Sequence, residues 1–598
     1  MSSSHLTSPA TPPRSPNGRQ GRLVPILNQI VSTENIKLLA LWAAPLTFLT
    51  LFYFYPLGSI LRLSFARGES GWAAPILTAL TSPSIRGVIW FTLWQATLST
   101  LLTLIIGLPG AYLLARYQFR GKSLFQALSG IPFVLPTLVV AAAFNALLGP
   151  RGWANIILMD IFDLSVPPIR IINTITAILI AHVFYNTTIV LRMVGDFWSH
   201  LNPQFTQSAR LLGANSWQTL RHVTLPLLLP AITTASLLIF IFNFTSFGVI
   251  LVLGGPRYAT MEVEIYYQTI SLFNLPLAAA LSVLQLIFTL VLTIFYTRLS
   301  VRISRPLSLR ARRITQKPLL TWRNRILAAI IIPTLLVLLT APLFALTTRS
   351  FTRLDPGRGE RVLEDGGFTL DFYQALSESR RGALFYVPPI KAIGISLGYA
   401  TTTVVLALAL GLPASWALAR NVRSSLNRLL DPLLMLPLGT SAVTLGLGFI
   451  IALNRPPIDL RASPLLIPIA HTLVAFPFVV RSLTPALRSI QPRLRQAASV
   501  LGASPLRILR FIDLPLVGRA VLVAATFAFM ISMGEFGATA IVSRPEYPTI
   551  PVVIYRFITQ PGGLNYGQAL AMSTILMAVT ATGMIAIERF RIAEIGEF

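Results

Sequence analysis

Gly121-Lys122-Ser123 has the closing residues of a phosphate-binding loop, in which backbone amides cradle phosphates, a lysine reaches them and a hydroxyl holds magnesium. Such a loop also needs a glycine five residues before Gly121, and Arg116 occupies that place. Gly446-Leu447-Gly448 opens like a dinucleotide loop but lacks its third glycine. The His-Glu-x-x-His pattern of zinc hydrolases does not occur, and no metal-ligand cluster is visible. There is no cysteine, which removes disulfide and thiolate chemistry. No catalytic, metal or cofactor site is expected, and the chain is not expected to be an enzyme. What stands out is Glu535, an acid inside an apolar run. Intramembrane acids are costly and usually face a cavity or a partner. Two readings stay open for Glu535: it lines a pathway that favours a cation, or it makes a structural hydrogen bond between helices.

The elements that must position such a residue are membrane helices. Of 598 residues, 54% are hydrophobic and 12% charged, against roughly 25% charged in soluble proteins. Apolar runs long enough to cross a bilayer occur near 38–60, 89–113, 127–148, 172–194, 229–253, 277–299, 326–346, 391–418, 432–453, 465–485, 517–542 and 567–588. Proline and glycine inside them, as in Gly107-Leu108-Pro109-Gly110, are tolerated because neighbouring helices re-satisfy the freed backbone groups. The alternating ten-residue segments of a membrane barrel are not seen. The expected fold is an all-α membrane protein of about twelve spans.

A net charge of +27 could suggest nucleic acid, but its distribution reports topology. Nine Lys/Arg and no acid fall in 298–325, and Arg116, Arg120, Lys122, Arg420, Arg423, Arg428, Arg488, Arg493, Arg495, Arg507 and Arg510 lie in loops on the same side. Asp160, Asp163, Glu262, Glu264, Asp355, Glu360, Glu364, Asp365, Asp371 and Glu378 fall on the other. The basic side, with both termini, is placed in the cytoplasm. The lipid bilayer is the expected surroundings, and no nucleic-acid partner is expected. Residues 1–37 read as a disordered basic tail. The run Leu38–Ile60 is too long for a signal-peptide core and reads as a retained span.

The chain is a tandem repeat. At a shift of 289 residues, His182 matches His471, Gln207 matches Gln496, and Ala209 matches Ala498. Leu212-Gly213-Ala214 matches Leu501-Gly502-Ala503, Pro226 matches Pro515, and Phe247-Gly248 matches Phe536-Gly537. Pro256, Tyr258, Thr260 and Tyr266 match Pro545, Tyr547, Thr549 and Tyr555. Upstream, Gly107-Leu108-Pro109 matches Gly411-Leu412-Pro413 at a shift of 304. Repeats of six spans at 38–299 and 326–598, joined by an Arg-rich linker at 300–325, must insert in the same orientation. A pathway is then expected at their interface. Ser246 is the counterpart of Glu535. His182 and His471 read as helix-packing hydrogen bonds, and Phe247 and Phe536 as either a hydrophobic gate or packing.

Between the fourth and fifth spans of each half lies a loop on the basic side. Asn202 suits a helix cap before Pro203, Gly213 and Gly502 suit a left-handed helix end, and Pro226 and Pro515 restart the next span thirteen residues after each glycine. These loops resemble the EAA loop of binding-protein-dependent ABC importer permeases. That resemblance implies a coupling helix docking into a cytoplasmic ATPase, with Gln207, Ala209, Gly213, Pro226, Gln496, Ala498, Gly502 and Pro515 as coupling positions. Gln207 and Gln496 stand where the family has an acid, so the charge there is lost.

Finer matches, at Phe91–Ala96, Leu179–Asn186 and Leu253–Tyr266, resemble the thiamine-importer branch, with ferric-iron permeases next. Gly534-Glu535-Phe536-Gly537 also resembles a motif of sulfate and molybdate permeases. The resemblance implies two ATPase subunits, an extracytoplasmic solute-binding protein, alternating access, and residence in a bacterial or archaeal cytoplasmic membrane. An ion-coupled secondary transporter is the other reading, but it leaves the duplicated loop without a purpose.

Overall fold

The computed structural model describes residues 33–65, 74–255, 257–303, 316–353, 367–378, 387–420, 425–455 and 458–592. Most of the tail 1–37, the middle of the 300–325 linker, Pro256, Arg423 and the outer acids Asp355, Glu360, Glu364 and Asp365 lie outside the described residues. Among the described residues, ten helices are long and apolar enough to cross a membrane, and two bent helix pairs raise the count to twelve. The spans are Leu41–Ser64, Pro83–Arg116, Lys122–Val134 with Thr137–Ile161, Ile175–His200, Ser216–Phe244, Leu275–Leu299, Trp322–Ser350, Lys391–Arg420, Leu426–Gly439 with Ala442–Ala452, Leu466–Ser489, Leu509–Gly534 and Gly563–Ile585. They are numbered 1 to 12 below. The first helix begins at Thr33, a few residues before the expected run.

Four of the expected runs are interrupted. Span 3 bends by 110° and span 9 by 96°. In span 3, Leu135 is extended (ψ 139°) ahead of Pro136, because proline disfavours the helical region for the residue before it. In span 9, Ser441 starts the second helix by accepting from the amides of Val443 and Thr444. The apolar runs at 229–253 and 517–542 are not single helices either. Span 5 stops at Phe244 and span 11 at Gly534, and short helices follow at Gly248–Leu253 and Gly537–Val542. Hydropathy could not see the breaks after Phe244 and Gly534, since only Thr245, Ser246 and Glu535 interrupt the apolar and glycine residues there.

The first span of each half packs on the other half. Span 1 places Trp42, Leu49 and Tyr53 among Leu418, Phe449 and Phe476 of spans 8 to 10. The Tyr53 hydroxyl is 2.7 Å from Thr440 Oγ1. Span 7 places Leu335 against Leu114, Phe125 and Leu191 of spans 2 to 4. The boundary between sequence repeats is therefore not a boundary between separate cores. The end of the linker is also stitched back, with Lys317–Pro318 pairing in parallel with Tyr117–Gln118.

The repeated Gly-Leu-Pro has a packing cause. A Cβ on Gly107 would lie 2.8 Å from Val190 Cβ, and one on Gly411 2.5 Å from Val479 Cγ1. Val190 and Val479 are themselves repeat counterparts, so in each half the second helix crosses the fourth with backbone against side chain. Overpacking such a site costs about 1–3 kcal/mol. Gly411→Val is expected to lower the melting temperature of the detergent-purified chain. Gly518→Ala, where nothing lies within 4 Å, is expected to leave it unchanged.

Candidate pathway and coupling loops

The two loops between spans 4 and 5, and 10 and 11, fold alike. The first holds a helix at Gln204–Leu211 and the second at Pro492–Val500. Asn202 Oδ1 accepts from the Gln204 amide, so the first helix starts one residue later than the Pro203 expected. Each ends in a left-handed glycine, Gly213 at φ 90° and Gly502 at φ 81°. The amides of Gly213 and Ala214 bond back to Arg210 and Ala209, and those of Gly502 and Ala503 to Ser499 and Ala498. This is the hydrogen-bond pattern that closes a helix on an αL residue. Pro226 and Pro515 sit in the first turns of the helices at Leu225 and Leu514. Gln207 and Gln496 are exposed, and Ala209 and Ala498 half-buried.

Sequence reasoning missed the most exposed apolar residues of these loops. Leu211 and Leu212 are 88% and 89% exposed, and their counterparts Val500 and Leu501 are both 87% exposed. The pair immediately before each left-handed glycine was the available signal, because a helix end that turns away from the bundle leaves its last side chains outside. Apolar side chains this bare, in the same place in both halves, mark a contact surface.

The breaks after spans 5 and 11 bring the other candidate residues together. In the second half Glu535 accepts from the Ala538 amide (2.8 Å), the Thr539 amide (3.1 Å) and Thr539 Oγ1 (2.7 Å). It thereby pairs the free amides at the start of the Gly537–Val542 helix. His471 Nε2 is 3.2 Å from Glu535 Oε2 and 2.8 Å from Thr539 Oγ1, and Nδ1 is 2.7 Å from Ser532 Oγ. Ser532 in turn donates to Thr403 on span 8. In the first half His182 joins Ser99 of span 2 (3.0 Å) to Ser246 (2.9 Å). Ser99 and Thr403 are counterparts at the shift of 304, so each histidine ties its span to a break and to a second helix. Ser246 replaces the carboxylate, and the two breaks are chemically unequal.

Phe247 and Phe536, one from each half, stack at 5.4 Å with 21° between ring planes. Tyr266 packs on Phe247 at 5.4 Å and its counterpart Tyr555 on Phe536 at 5.3 Å. A four-ring cluster thus sits where the repeats meet. Beside it lies a cavity of about 410 Å³, lined by both breaks, by Phe133, Phe242, Phe478 and Phe527, and by His182, Glu262, Ser441 and Glu535. Among the described residues no lysine or arginine lines it. His471 is behind this wall, reaching the cavity through Glu535.

Glu262 corrects the charge map. Expected among the outer acids, it is 1% exposed. It accepts from Gln285 Nε2 (2.6 Å) and from Ser441 Oγ of the other half. Its apolar neighbours Met261, Val263 and Ile265 were the sequence signal, and its counterpart is Pro551. Among the described residues, no group of three or more His, Cys, Asp or Glu could hold a metal ion.

Ten to twelve candidate spans among the described residues, in two like halves with matched breaks and matched loops, have the architecture of a membrane transport component. Residues 104–305 and 411–591 each match the family described as binding-protein-dependent transport system inner membrane component. The two matches cover more than half the chain, and the chain belongs to that family. It is 27% identical over 535 residues to the thiamine transport system permease protein ThiP of Brucella abortus (strain 2308), covering 89% of this chain and 92% of that one. It is 28% identical over 484 residues to ThiP of Escherichia coli (strain K12), covering 79% and 83%. With ThiP of Haemophilus influenzae (strain ATCC 51907 / DSM 11121 / KW20 / Rd) the figures are 27% over 547 residues, covering 90% and 94%. The chain is thus a multi-pass transport permease of the cytoplasmic membrane.

Removing the Glu535 carboxylate leaves two backbone amides and the Thr539 hydroxyl without the acceptor they share, and each buried polar group so abandoned costs about 1–3 kcal/mol. Glu535→Ala is expected to lower thermal stability clearly. Ser246→Ala, which strands only one histidine nitrogen, is expected to lower it less, as read by melting of the purified protein.

Proposed function

We propose that the chain is the fused permease of an ABC importer that moves thiamine into the cytoplasm. A solute-binding protein delivers the solute on the outer side, and two separate ATPase subunits grip the loop helices. Closure of the ATPase dimer on ATP moves the helices and switches the side to which the cavity opens. ATP hydrolysis belongs to those partners. Both termini, the 300–325 linker and the loop helices lie in the cytoplasm in this reading, with the permease halves at 38–299 and 326–598.

The observation that carries the reading is the matched pair of bare apolar tips, Leu211-Leu212 and Val500-Leu501, on helices that both end in a left-handed glycine. Two equivalent surfaces suit two equivalent partners. The relatives named as thiamine permeases supply the solute. The cavity agrees with an aromatic cation: it offers aromatic walls, two carboxylates and, among the described residues, no lysine or arginine. Phe247 and Phe536 then form a seal whose parting opens the pathway, since stacked rings from opposite halves separate when the halves rotate.

The test is uptake of labelled thiamine by vesicles holding this chain with the ATPase and binding protein encoded beside it. Uptake is expected to depend on ATP and to be unaffected by ferric iron. Uptake of iron without thiamine would reassign the solute. Charged tips, as in L211D/L212D with V500D/L501D, are expected to abolish ATPase retention during purification. Retention of the ATPase by that variant would overturn the docking assignment. Glu535→Gln is expected to reduce thiamine uptake while the protein stays folded, and full uptake and coupling in that variant would remove Glu535 from the pathway.

A further inference from the structure

The two loop helices are held to the bundle by different chemistry. In the second half Arg495, on the helix Pro492–Val500, places Nε 2.8 Å from Asp513 Oδ1. The Asp513 side chain is 1% exposed and lies in a π-helical turn, Leu509–Asp513, at the foot of span 11. Among the described residues its other oxygen, Oδ2, has no hydrogen-bond partner, and Arg495 is the ion-pair partner of the carboxylate. The same guanidinium stands 5.4 Å from the centre of the Trp416 ring, near the end of span 8. One arginine therefore ties the helix to two spans at once.

In the first half the same three positions are neutral. Thr206 stands at the Arg495 position, and its hydroxyl bonds within its own turn to the Pro203 carbonyl. Thr224 stands at the Asp513 position and bonds to the Thr219 carbonyl. Tyr112 replaces Trp416 and packs on Trp198 and Tyr117 instead. The π-helical turn itself is kept, at Leu220–Thr224. The backbone lever is thus duplicated while the clamp is not.

We propose that the two helices are unequal levers: the ion-paired and ring-stacked helix of the second half transmits the larger share of ATPase motion to the pathway, with Arg495 and Asp513 as positioning residues. This rests on the reading that both helices dock the ATPase. The physical reason is stiffness. A charge-assisted hydrogen bond to a buried carboxylate is shorter and stronger than a neutral one, and a planar guanidinium over an indole adds a second direction of restraint. A helix held this way moves with spans 8 and 11, whereas the counterpart positions Thr206 and Thr224 bond within their own turns and supply no such tie.

The test uses the full transporter in vesicles, measuring solute imported per ATP hydrolysed and ATPase retention in parallel. R495A and D513N are expected to retain the ATPase and to lower import per ATP several-fold. T206A and T224V are expected to leave the ratio unchanged. R495K, which keeps the charge but loses the planar stacking, is expected to fall between. Where R495A does not fold, R495M/D513L removes both charges together and leaves no buried carboxylate unbalanced; it is expected to fold and to couple poorly. Equal losses in the variants of both halves, or ordinary coupling in R495M/D513L, would overturn the proposal. Absence of ATPase on the unsubstituted chain would overturn the docking reading together with it, which separates the two failures.

Discussion

Inside a bilayer no water waits to satisfy a freed backbone amide, so a helix that stops there must find protein partners for its ends. The breaks after Phe244 and Gly534 are governed by that constraint. In the second half Glu535 answers it directly by taking the amides of Ala538 and Thr539, and His471 then holds the carboxylate in place. Because the break exists, Phe536 leaves the line of span 11 and meets Phe247 from the other half. The cavity and the ring cluster follow from helices that end early in both halves.

Pseudo-symmetry makes the departures from it informative. Histidines, rings, valine–glycine contacts and left-handed glycines recur in both halves, because each solves a packing or backbone problem that both halves share. The buried carboxylates, and the arginine paired with one of them, do not recur. Glu535 faces Ser246, Glu262 has Pro551 as counterpart, and Arg495 with Asp513 replace two threonines. A charge buried in a low-dielectric interior is expensive, and replacing a paired one by neutral groups of similar size is often no loss of stability. A fold that needed only stability could have kept the neutral solution in both halves, which is why these one-sided charges carry the functional proposals.

The halves are also interlocked. Span 1 belongs to the first repeat by sequence yet buries Trp42 and Tyr53 in the second, and span 7 does the reverse with Leu335. Movement of one half relative to the other therefore takes a foreign helix with it. The contacts best suited to change lie at the centre, where the Phe247–Phe536 stack and the Glu262–Ser441 bond join the halves through few atoms.

The sequence alone determined the all-helical membrane fold with its ten to twelve candidate spans, the doubling, the loop helices with their closing glycines, and the pairing of residues with their counterparts. These depend on local hydropathy, on backbone preferences of glycine and proline, and on self-similarity, all of which are written along one dimension. The tertiary structure decided the rest. It broke four apparent spans, because whether an apolar segment stays helical depends on what can receive its amides. It turned Glu262 from an outer acid into a buried one, since burial depends on the half that packs over it. It stacked Phe247 on Phe536 and crossed spans 1 and 7 between halves, because contacts between residues hundreds of positions apart are set by how two surfaces fit. It also showed that Arg495, read in sequence as one more cytoplasmic charge, has a carboxylate and an indole waiting for it.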